Sequence, residues 1–350
     1  MNFASDNTAG VAPAVLDAIA GANRGFAPGY GNDELTRAVE RRIAALFGRD
    51  AAVFLVSTGT AANALALAHV VPPWGGVLCH AEAHIATDEC GAPEFFGGGI
   101  KLIGLDGVGC KLSAATLRAA IDRHTGHRPH AVQAAALSLS QVTEAGTIYT
   151  VAEIKSLCDV AHGRGLATHM DGARFANALV RLGVTPADMS WKAGIDILSL
   201  GATKGGALAA EAIVIFDPAR ADAMHERRKR GGHLVSKHRF LAAQFDGYLA
   251  DDNWLAWARH ANRMADRLAG ALAGRGLTPV WPVDANLVFV VLPAATHARL
   301  GAAGAAYYAR RSDSLPGGMA LAPGDVLARL VTSFATTETE VDRFAELAGG

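Results

Sequence analysis

Between residues 35 and 216 short apolar runs alternate with segments of helical periodicity, and that rhythm leaves the chain few architectures. In ELTRAVERRIAALFG (34–48) the residues Leu35, Val39, Ile43 and Leu46 fall on one helical face and Gly48 marks the stop. AAVFLV then reads as a strand, TAANALALAHVV as a helix, GGVLCH and GIKLIGL as strands, and SAATLRAAIDRH as a helix. AVQAAALSLS (strand), TVAEIKSLCDVAHGRG (helix) and the strands LATHMD, DILSLGA and EAIVIF complete the series. Strands and helices alternating in this way predict an α/β fold, with helices covering both faces of a mostly parallel sheet.

Past residue 245 the pattern changes. DDNWLAWARHANRMADRLAGALAGRG predicts a long helix closing on glycine. LVFVVL, the Ala- and Gly-rich 294–306, ARLVTSFA and the terminal helix TETEVDRFAELAGG predict a smaller α+β unit. The expected division is 1–245 for an N-terminal arm and large domain and 246–350 for a small C-terminal domain, with the boundary near Phe245. At 350 residues, 51% of them hydrophobic and 19% charged, the chain has material for a sizeable core. Its 32 basic and 33 acidic side chains give no electrostatic footprint for nucleic acid or an anionic membrane, so small-molecule chemistry is expected. Cys79, Cys90, Cys110 and Cys158 form no CxxC, which argues against a zinc knuckle or disulfide framework and for a reducing cytoplasm. Residues 51–81 lack Asp, Glu, Lys and Arg, yet polar, proline and glycine residues interrupt them, so no membrane span is expected. The start MNFASDNTAG has neither the basic nor the apolar region of an export signal.

Within ILSLGATKGGALAAEAIVIF (197–216) a single lysine, Lys204, stands between two apolar runs, where a solvated amine has no reason to be. LATHMDGARF ends a strand at Asp171 and follows it with Arg174, and ligands of an open parallel sheet lie beyond the carboxyl ends of its strands. Lys204 comes about one strand-helix-strand unit later, at another strand end, so both ends can face one ligand. Taken singly, Asp171 and Arg174 read as a structural ion pair and Lys204 as an ordinary loop lysine. In VSTGTAANAL, Thr58, Gly59 and Thr60 stand between a strand and a helix N-terminus, where free N–H groups and the helix dipole favour an anion; a plain helix cap is the alternative. Together the three elements ask for a phosphate, a carbonyl for the lysine and a basic ring nitrogen for the aspartate, and pyridoxal 5'-phosphate (PLP) has all three. His80, Glu82 and His84 lack the HExxH order, and His124, His127 and His130 read as a solvated loop, so no metal is expected.

ASDN near the start, YGND (30–33), TGTAAN (58–63), AHIATDECGAPEFF (83–96), HMDGARFANA (169–178), WKAGIDILSLGATKGG (191–206) and ARLVTSF (328–334) extend over nearly the whole chain. In their order and spacing the sequence resembles the fold-type I PLP enzymes, and within them the low-specificity L-threonine aldolases. That resemblance implies Lys204 as the Schiff-base lysine, Asp171 as partner of the pyridine nitrogen, Arg174 as a cofactor contact, and Thr58, Gly59 and Thr60 as the phosphate cradle. It implies His84 over the ring as an acid-base candidate, and Arg329, just before a small-domain strand, as the grip on the substrate carboxylate with help from Ser5. Some threonine aldolases carry a histidine where this chain has SLSQVTEAG; Thr143 and Glu144 stand nearby, which leaves the second acid-base group open. A cation delivered to the phosphate by a neighbouring subunit is also implied. RRKRGGHLVSKHRF does not align cleanly there, and Lys237 is the choice made.

The implied activity is retro-aldol cleavage of L-threonine, L-allo-threonine or a β-aryl serine to glycine and an aldehyde, in a cytoplasmic homodimer or homotetramer with shared sites. Another PLP reaction on the same scaffold, β-elimination or transamination, is the nearest rival. A catalytically silent PLP-fold binding protein is a second, against which the intact Lys204, Asp171 and Arg174 argue. A dinucleotide-dependent oxidoreductase is disfavoured because no GxGxxG follows an early strand.

Overall fold

The apolar runs become strands with both faces covered. In the computed structural model, which describes residues 1–310 and 315–350, they are β1 (Ala52–Val56), β2 (Gly75–His80), β3 (Lys101–Leu105), β4 (Gln133–Ser140), β5 (Ala167–Gly172), β6 (Ile197–Gly201) and β7 (Glu211–Ile215). They form one sheet in the order β1-β7-β6-β5-β4-β2-β3. Every residue of β2, β6 and β7 is buried, which is why their sequences show no polar alternation. The flanking helices are α1 (Pro13–Ala22), α2 (Glu34–Leu46), α3 (Gly59–Val70), α4 (His84–Thr87), α5 (Ala92–Phe96), α6 (Ala114–Arg123), α7 (Val151–His162), α8 (Phe175–Leu182), α9 (Met224–Arg230) and α10 (Arg239–Leu249). Side-chain alternation along the strands divides the core. Leu78 and Leu198 join the cluster that contains α6 and α7 residues, whereas Val77, Cys79 and Ile197 turn to clusters that contain α3 residues.

The sheet is mostly parallel, as expected, with one reversal. β7 runs antiparallel to both β6 and β1. The segment 202–210 is too short for a helical crossover, so the chain returns beside β6 in the opposite sense. Parallel registry of β4, β5 and β6 sets Ser140 opposite Asp171 and Asp171 opposite Ser199, so Ser140 and Asp171 come side by side at the carboxyl ends of their strands, where a ligand crevice lies.

A second sheet, entirely antiparallel, contains β8 (Leu287–Leu292), β10 (Val326–Val331) and β9 (Tyr308–Arg310) in that order. With α11 (Asn253–Ala273), α12 (Ala294–Ala302) and α13 (Glu338–Gly349) it encloses its own core. Arg329 lies inside β10, opposite Phe289 and Tyr308, and not before a strand as expected. The N-terminal arm, expected with the large domain, reaches this sheet. The Phe3 N–H donates to the Ala306 carbonyl at 2.8 Å, its carbonyl accepts from Val331, and its ring lies 5.1 Å from that of Phe344. Phe245 falls within α10, which packs on α1 and α2, so we propose that the small unit begins with α11.

Gly247 permits the α1–α10 contact: a Cβ there would lie 2.5 Å from the Ala14 carbonyl oxygen and 2.9 Å from Val15 Cα. Helix propensity alone favours alanine by about 1 kcal/mol, but the unyielding backbone reverses the sign. Gly247→Ala is expected to destabilise the protein by about 1–3 kcal/mol, read as a lower urea midpoint. An unchanged or raised midpoint would contradict this close approach.

Candidate active site

Asp171, at the end of β5, is buried and held by two donors. Asn63 Nδ2 of α3 reaches its Oδ2 at 2.9 Å, and the Ala173 N–H reaches Oδ1 at 3.0 Å. Burial opposes its charge, but the positive Lys204 and His84 outweigh it, so its pKa lies below the ordinary carboxylate value. Two residues earlier on the same face, His169 bridges Ser138 Oγ at 2.9 Å and Ser199 Oγ at 3.0 Å. Burial lowers the His169 pKa to about 4, so this histidine is a neutral strut in the sheet.

His84 opens the short α4, and its Nδ1 lies 2.8 Å from Glu89 Oε1, an oxygen that also accepts from Asn63 at 2.8 Å. The Glu89 hydrogen bond raises the His84 pKa against burial, which favours the imidazolium. The His84 backbone N–H donates to Glu144 Oε1 at 2.9 Å, and Ser140 Oγ donates to the same oxygen at 2.9 Å. His84, Glu89 and Asp171 bring their donor atoms within 4.8 Å of one another, although each already has a protein hydrogen-bond partner.

Lys204 lies in the tight turn Thr203–Gly205 after β6. Burial lowers its pKa, Arg174 lowers it further, and Asp6, Asp171 and Glu211 act in the opposite sense. Glu211, at the head of β7, is itself pushed up to about 7 by burial. Arg174 does not pair with Asp171. It grips Asp6 of the N-terminal arm, with Nε at 2.7 Å and Nη2 at 2.9 Å, and Asn286 Nδ2 adds a third donor at 3.1 Å. Arg329 Nη1 donates to the Ala4 carbonyl at 3.3 Å, next to Ser5, whose Oγ caps the short turn Asp6–Thr8. Burial, with Arg174 near, lowers the Arg329 pKa to about 10, so this guanidinium lacks full compensation.

At the head of α3 the Thr58 Oγ1 accepts from the Ala61 N–H at 3.1 Å. The amides of Gly59 and Thr60 precede the first helical hydrogen bond, and a Cβ at Gly59 would meet nothing within 4 Å. Open space over free amides, an ionised aspartate, and an amine that readily loses its proton fit PLP. The sequence motifs contained Asp6, Asn63 and Glu89 without assigning them; their roles come from neighbours distant in the chain. Lys237 is exposed, and nothing in the chain places it near Lys204. The basic segment around it is partly internal: Arg228 is buried, donates to the Leu55 carbonyl at 3.3 Å and faces Glu40, whose pKa burial raises to about 7. His127 and His130 are exposed and His124 half-buried in the turns after α6, as the loop expectation had it. Among the described residues no helix is long and apolar enough to cross a membrane.

A parallel-centred sheet with one reversed strand, an antiparallel companion, and a half-buried lysine near an ionised aspartate define an α/β fold with a cofactor crevice at its strand ends. The chain matches the beta-eliminating lyase family over residues 2–295 and belongs to that family. It is 44% identical over 308 residues to the low specificity L-threonine aldolase of Pseudomonas aeruginosa, a match covering 87% of this chain and 88% of that one. The enzyme of the same name from Pseudomonas sp. (strain NCIMB 10558) is 42% identical over 290 residues, covering 82% and 83% of the two chains. The structure of Leishmania major threonine aldolase superposes with a TM-score of 0.91 at 31% identity, covering 99% of this chain and 98% of that chain. Serine palmitoyltransferase with PLP shares the fold at a TM-score of 0.72 and 16% identity, covering 100% of this chain and 86% of that chain.

The Asp6–Arg174 pair carries a prediction about pH. Burial opposes the Asp6 charge, yet Arg174, Lys204 and two side-chain hydrogen bonds leave its pKa below 3.8. The pair's stabilisation is therefore complete above the unfolded carboxyl value and disappears as pH falls through the lower folded value. Asp6→Asn is expected to lose about 3–5 kcal/mol at neutral pH, because it leaves the largely enclosed Arg174 without its anion. In urea denaturation its deficit relative to the wild type should shrink below about pH 4. A deficit that stays constant at lower pH would contradict the assignment.

Proposed function

We propose that this protein uses PLP to cleave β-hydroxy-α-amino acids, such as L-threonine, L-allo-threonine or a β-aryl serine, to glycine and an aldehyde. It is a carbon-carbon lyase of the threonine aldolase type. The observation that carries this reading is the half-buried Lys204 amine, which feels the charges of Arg174, Asp6 and Asp171, in a chain 44% identical to an L-threonine aldolase.

PLP, when bound, supplies an aldehyde for an amine and a pyridinium ring that draws electrons from Cα. Lys204, with its proton loosened by burial and by Arg174, is the amine that holds it. Thr58, Gly59 and Thr60 would hold the phosphate at the α3 N-terminus, and ionised Asp171 would keep the pyridine nitrogen protonated. His84, fixed by Glu89, would hold the ring of the bound cofactor. Arg174 is oriented by Asp6 for the cofactor side of the crevice. Arg329, short of compensating charge, grips the substrate α-carboxylate with Ser5. Holding the carboxylate sets the Cα–Cβ bond so that removal of the β-hydroxyl proton releases the aldehyde.

Elimination from the β-carbon, which the family description names, would use the same residues and release ammonia and a keto acid. Product analysis with L-threonine, L-allo-threonine and a β-aryl serine is expected to find glycine plus the matching aldehyde. Lys204→Ala should abolish cleavage, and borohydride reduction followed by peptide mapping should find the cofactor on Lys204. A label on Lys192 would overturn the assignment.

The same reading makes the active unit a homodimer or homotetramer in the cytoplasm, where four unpaired cysteines are at home. Lys237, exposed on its own subunit, is then the cation supplied to the neighbour's phosphate. Lys237→Ala is expected to weaken PLP affinity by about tenfold, the 1.4 kcal/mol of a modest charge contact. Light scattering should show no monomer at assay concentrations. A fully active monomer would contradict both.

A further inference from the structure

Cleavage needs a group that removes the β-hydroxyl proton, and most polar atoms around the crevice are already engaged. Glu144, whose carboxyl meets the His84 amide, also lines a cavity of about 450 Å³ between the loops that follow β2, β3 and β4 and the small unit, with Val108, Trp281, Phe289 and Leu315 among its walls. His80 also lines it, but its Nε2 lies 3.1 Å from the Gly107 carbonyl and its Nδ1 accepts from the Glu82 N–H at 3.1 Å. Cys110 is a thiol pushed up to about 12 by burial. Thr143 bonds to the Gly109 carbonyl at 3.1 Å and shares Thr147 Oγ1 at 2.8 Å. His84 faces Glu89 with Nδ1, and that contact favours its protonated form, which donates rather than accepts a proton.

Glu144 differs from all of these. Its Oε1 is fixed by the His84 N–H and Ser140 Oγ, both at 2.9 Å, so the carboxyl group is oriented from two elements. Its Oε2 is buried without any hydrogen-bond partner, on a residue that lines the cavity. Ser140 is the register partner of Asp171, which puts this carboxyl beside the strand end that faces the cofactor ring. A buried carboxylate oxygen left bare is costly unless a ligand or water meets it.

We infer that Glu144 is the acid-base residue of the reaction, its free Oε2 taking the proton from the substrate's β-hydroxyl directly or through one water. The inference rests on the aldol-cleavage reading. The O–H bond breaks, its proton passes to Oε2, and its electron pair becomes the second bond of the aldehyde C=O. The Cα–Cβ bond breaks with its pair left on the glycine fragment. Glu144 returns the proton to water, and water supplies one to Cα, so that one β-hydroxy amino acid becomes one glycine and one aldehyde with no net change in oxidation. Burial raises the Glu144 pKa above the usual carboxylate range, and a base of higher pKa accepts an alcohol proton more readily. The cavity then receives the β-substituent that departs with the aldehyde.

The test separates hydroxyl deprotonation from everything else the site does. Glycine has no β-hydroxyl, so its binding, followed by cofactor absorbance, and its Cα–H exchange in deuterated water do not need this base. In the PLP-loaded protein Glu144→Gln is expected to lower kcat for L-threonine and for a β-aryl serine by about 100-fold or more, with glycine affinity and exchange within about threefold of wild type. Glu144→Asp keeps a carboxylate one methylene further back, and should cleave at a rate between wild type and Glu144→Gln. If Glu144→Gln does not fold, the aspartate variant with the same glycine readouts decides. Cleavage by Glu144→Gln near the wild-type rate would overturn the inference, as would loss of glycine exchange in proportion to loss of cleavage. A wild-type protein that exchanges glycine but releases no aldehyde would overturn the functional reading as well. Wild-type cleavage with an unaffected glutamine variant would sink only the role of Glu144.

Discussion

Charge removed from water without compensation is the constraint on which the site is built. Lys204, Arg174 and Arg329 bring three cationic groups to one crevice, and the charges of Lys204 and Arg329 are disfavoured by burial and by Arg174. Asp6 acts on all three, with a bidentate grip on Arg174 and a field felt by Lys204 and Arg329. Asp171 on β5 and Glu211 on β7, the strands on either side of β6, act on Lys204 in the same sense. The balance is incomplete, and that incompleteness is useful: a lysine that sheds its proton and an arginine in need of an anion suit an aldehyde cofactor and an amino-acid carboxylate.

The N-terminal arm gives this balance its mechanical form. Phe3 is anchored in the core of the small unit, and three residues later Asp6 reaches Arg174 beyond the end of β5. Asn286, just before β8, donates to Asp6 at 3.1 Å and to the Thr332 carbonyl at 2.7 Å. The arm therefore fixes β10, with Arg329 on it, relative to the strand ends that carry Asp171 and Lys204. A shift between the two sheets would disturb the Asp6–Arg174 ion pair, which couples the position of Arg329 to that of Asp171 and Lys204.

Much of the fold was legible in the sequence because each strand and its helix announce themselves locally. Continuous apolar runs, alternating with helical segments, placed every strand of the large sheet but only α2, α3, α6 and α7 among the helices that flank it. Reversal of β7 was also latent in the short segment 202–210, but the apolar run EAIVIF has no direction of its own. The first turn of α8 was absorbed into the motif HMDGARFANA and α10 into the domain boundary, while α1 was not read at all. The boundary near Phe245 fell inside α10 because a change in sequence rhythm marks a change of pattern, which need not coincide with a break in packing.

By itself the sequence determined the parts that act through their chemical type: an isolated lysine between buried strands, an acid at a strand end, and a small polar turn before a helix. These signals survive in one dimension because their backbone setting is local. Tertiary structure alone decided the partnerships. Arg174 turned to Asp6 and not to Asp171, Asn63 was shared between Asp171 and Glu89, and Glu144 was held by Ser140 and the amide of His84. Each of the contacts that span distant segments joins groups brought together by sheet registry or by the returning arm. A hydrogen bond depends on position within tenths of an ångström, and sequence spacing carries no such information once a chain has crossed its own sheet.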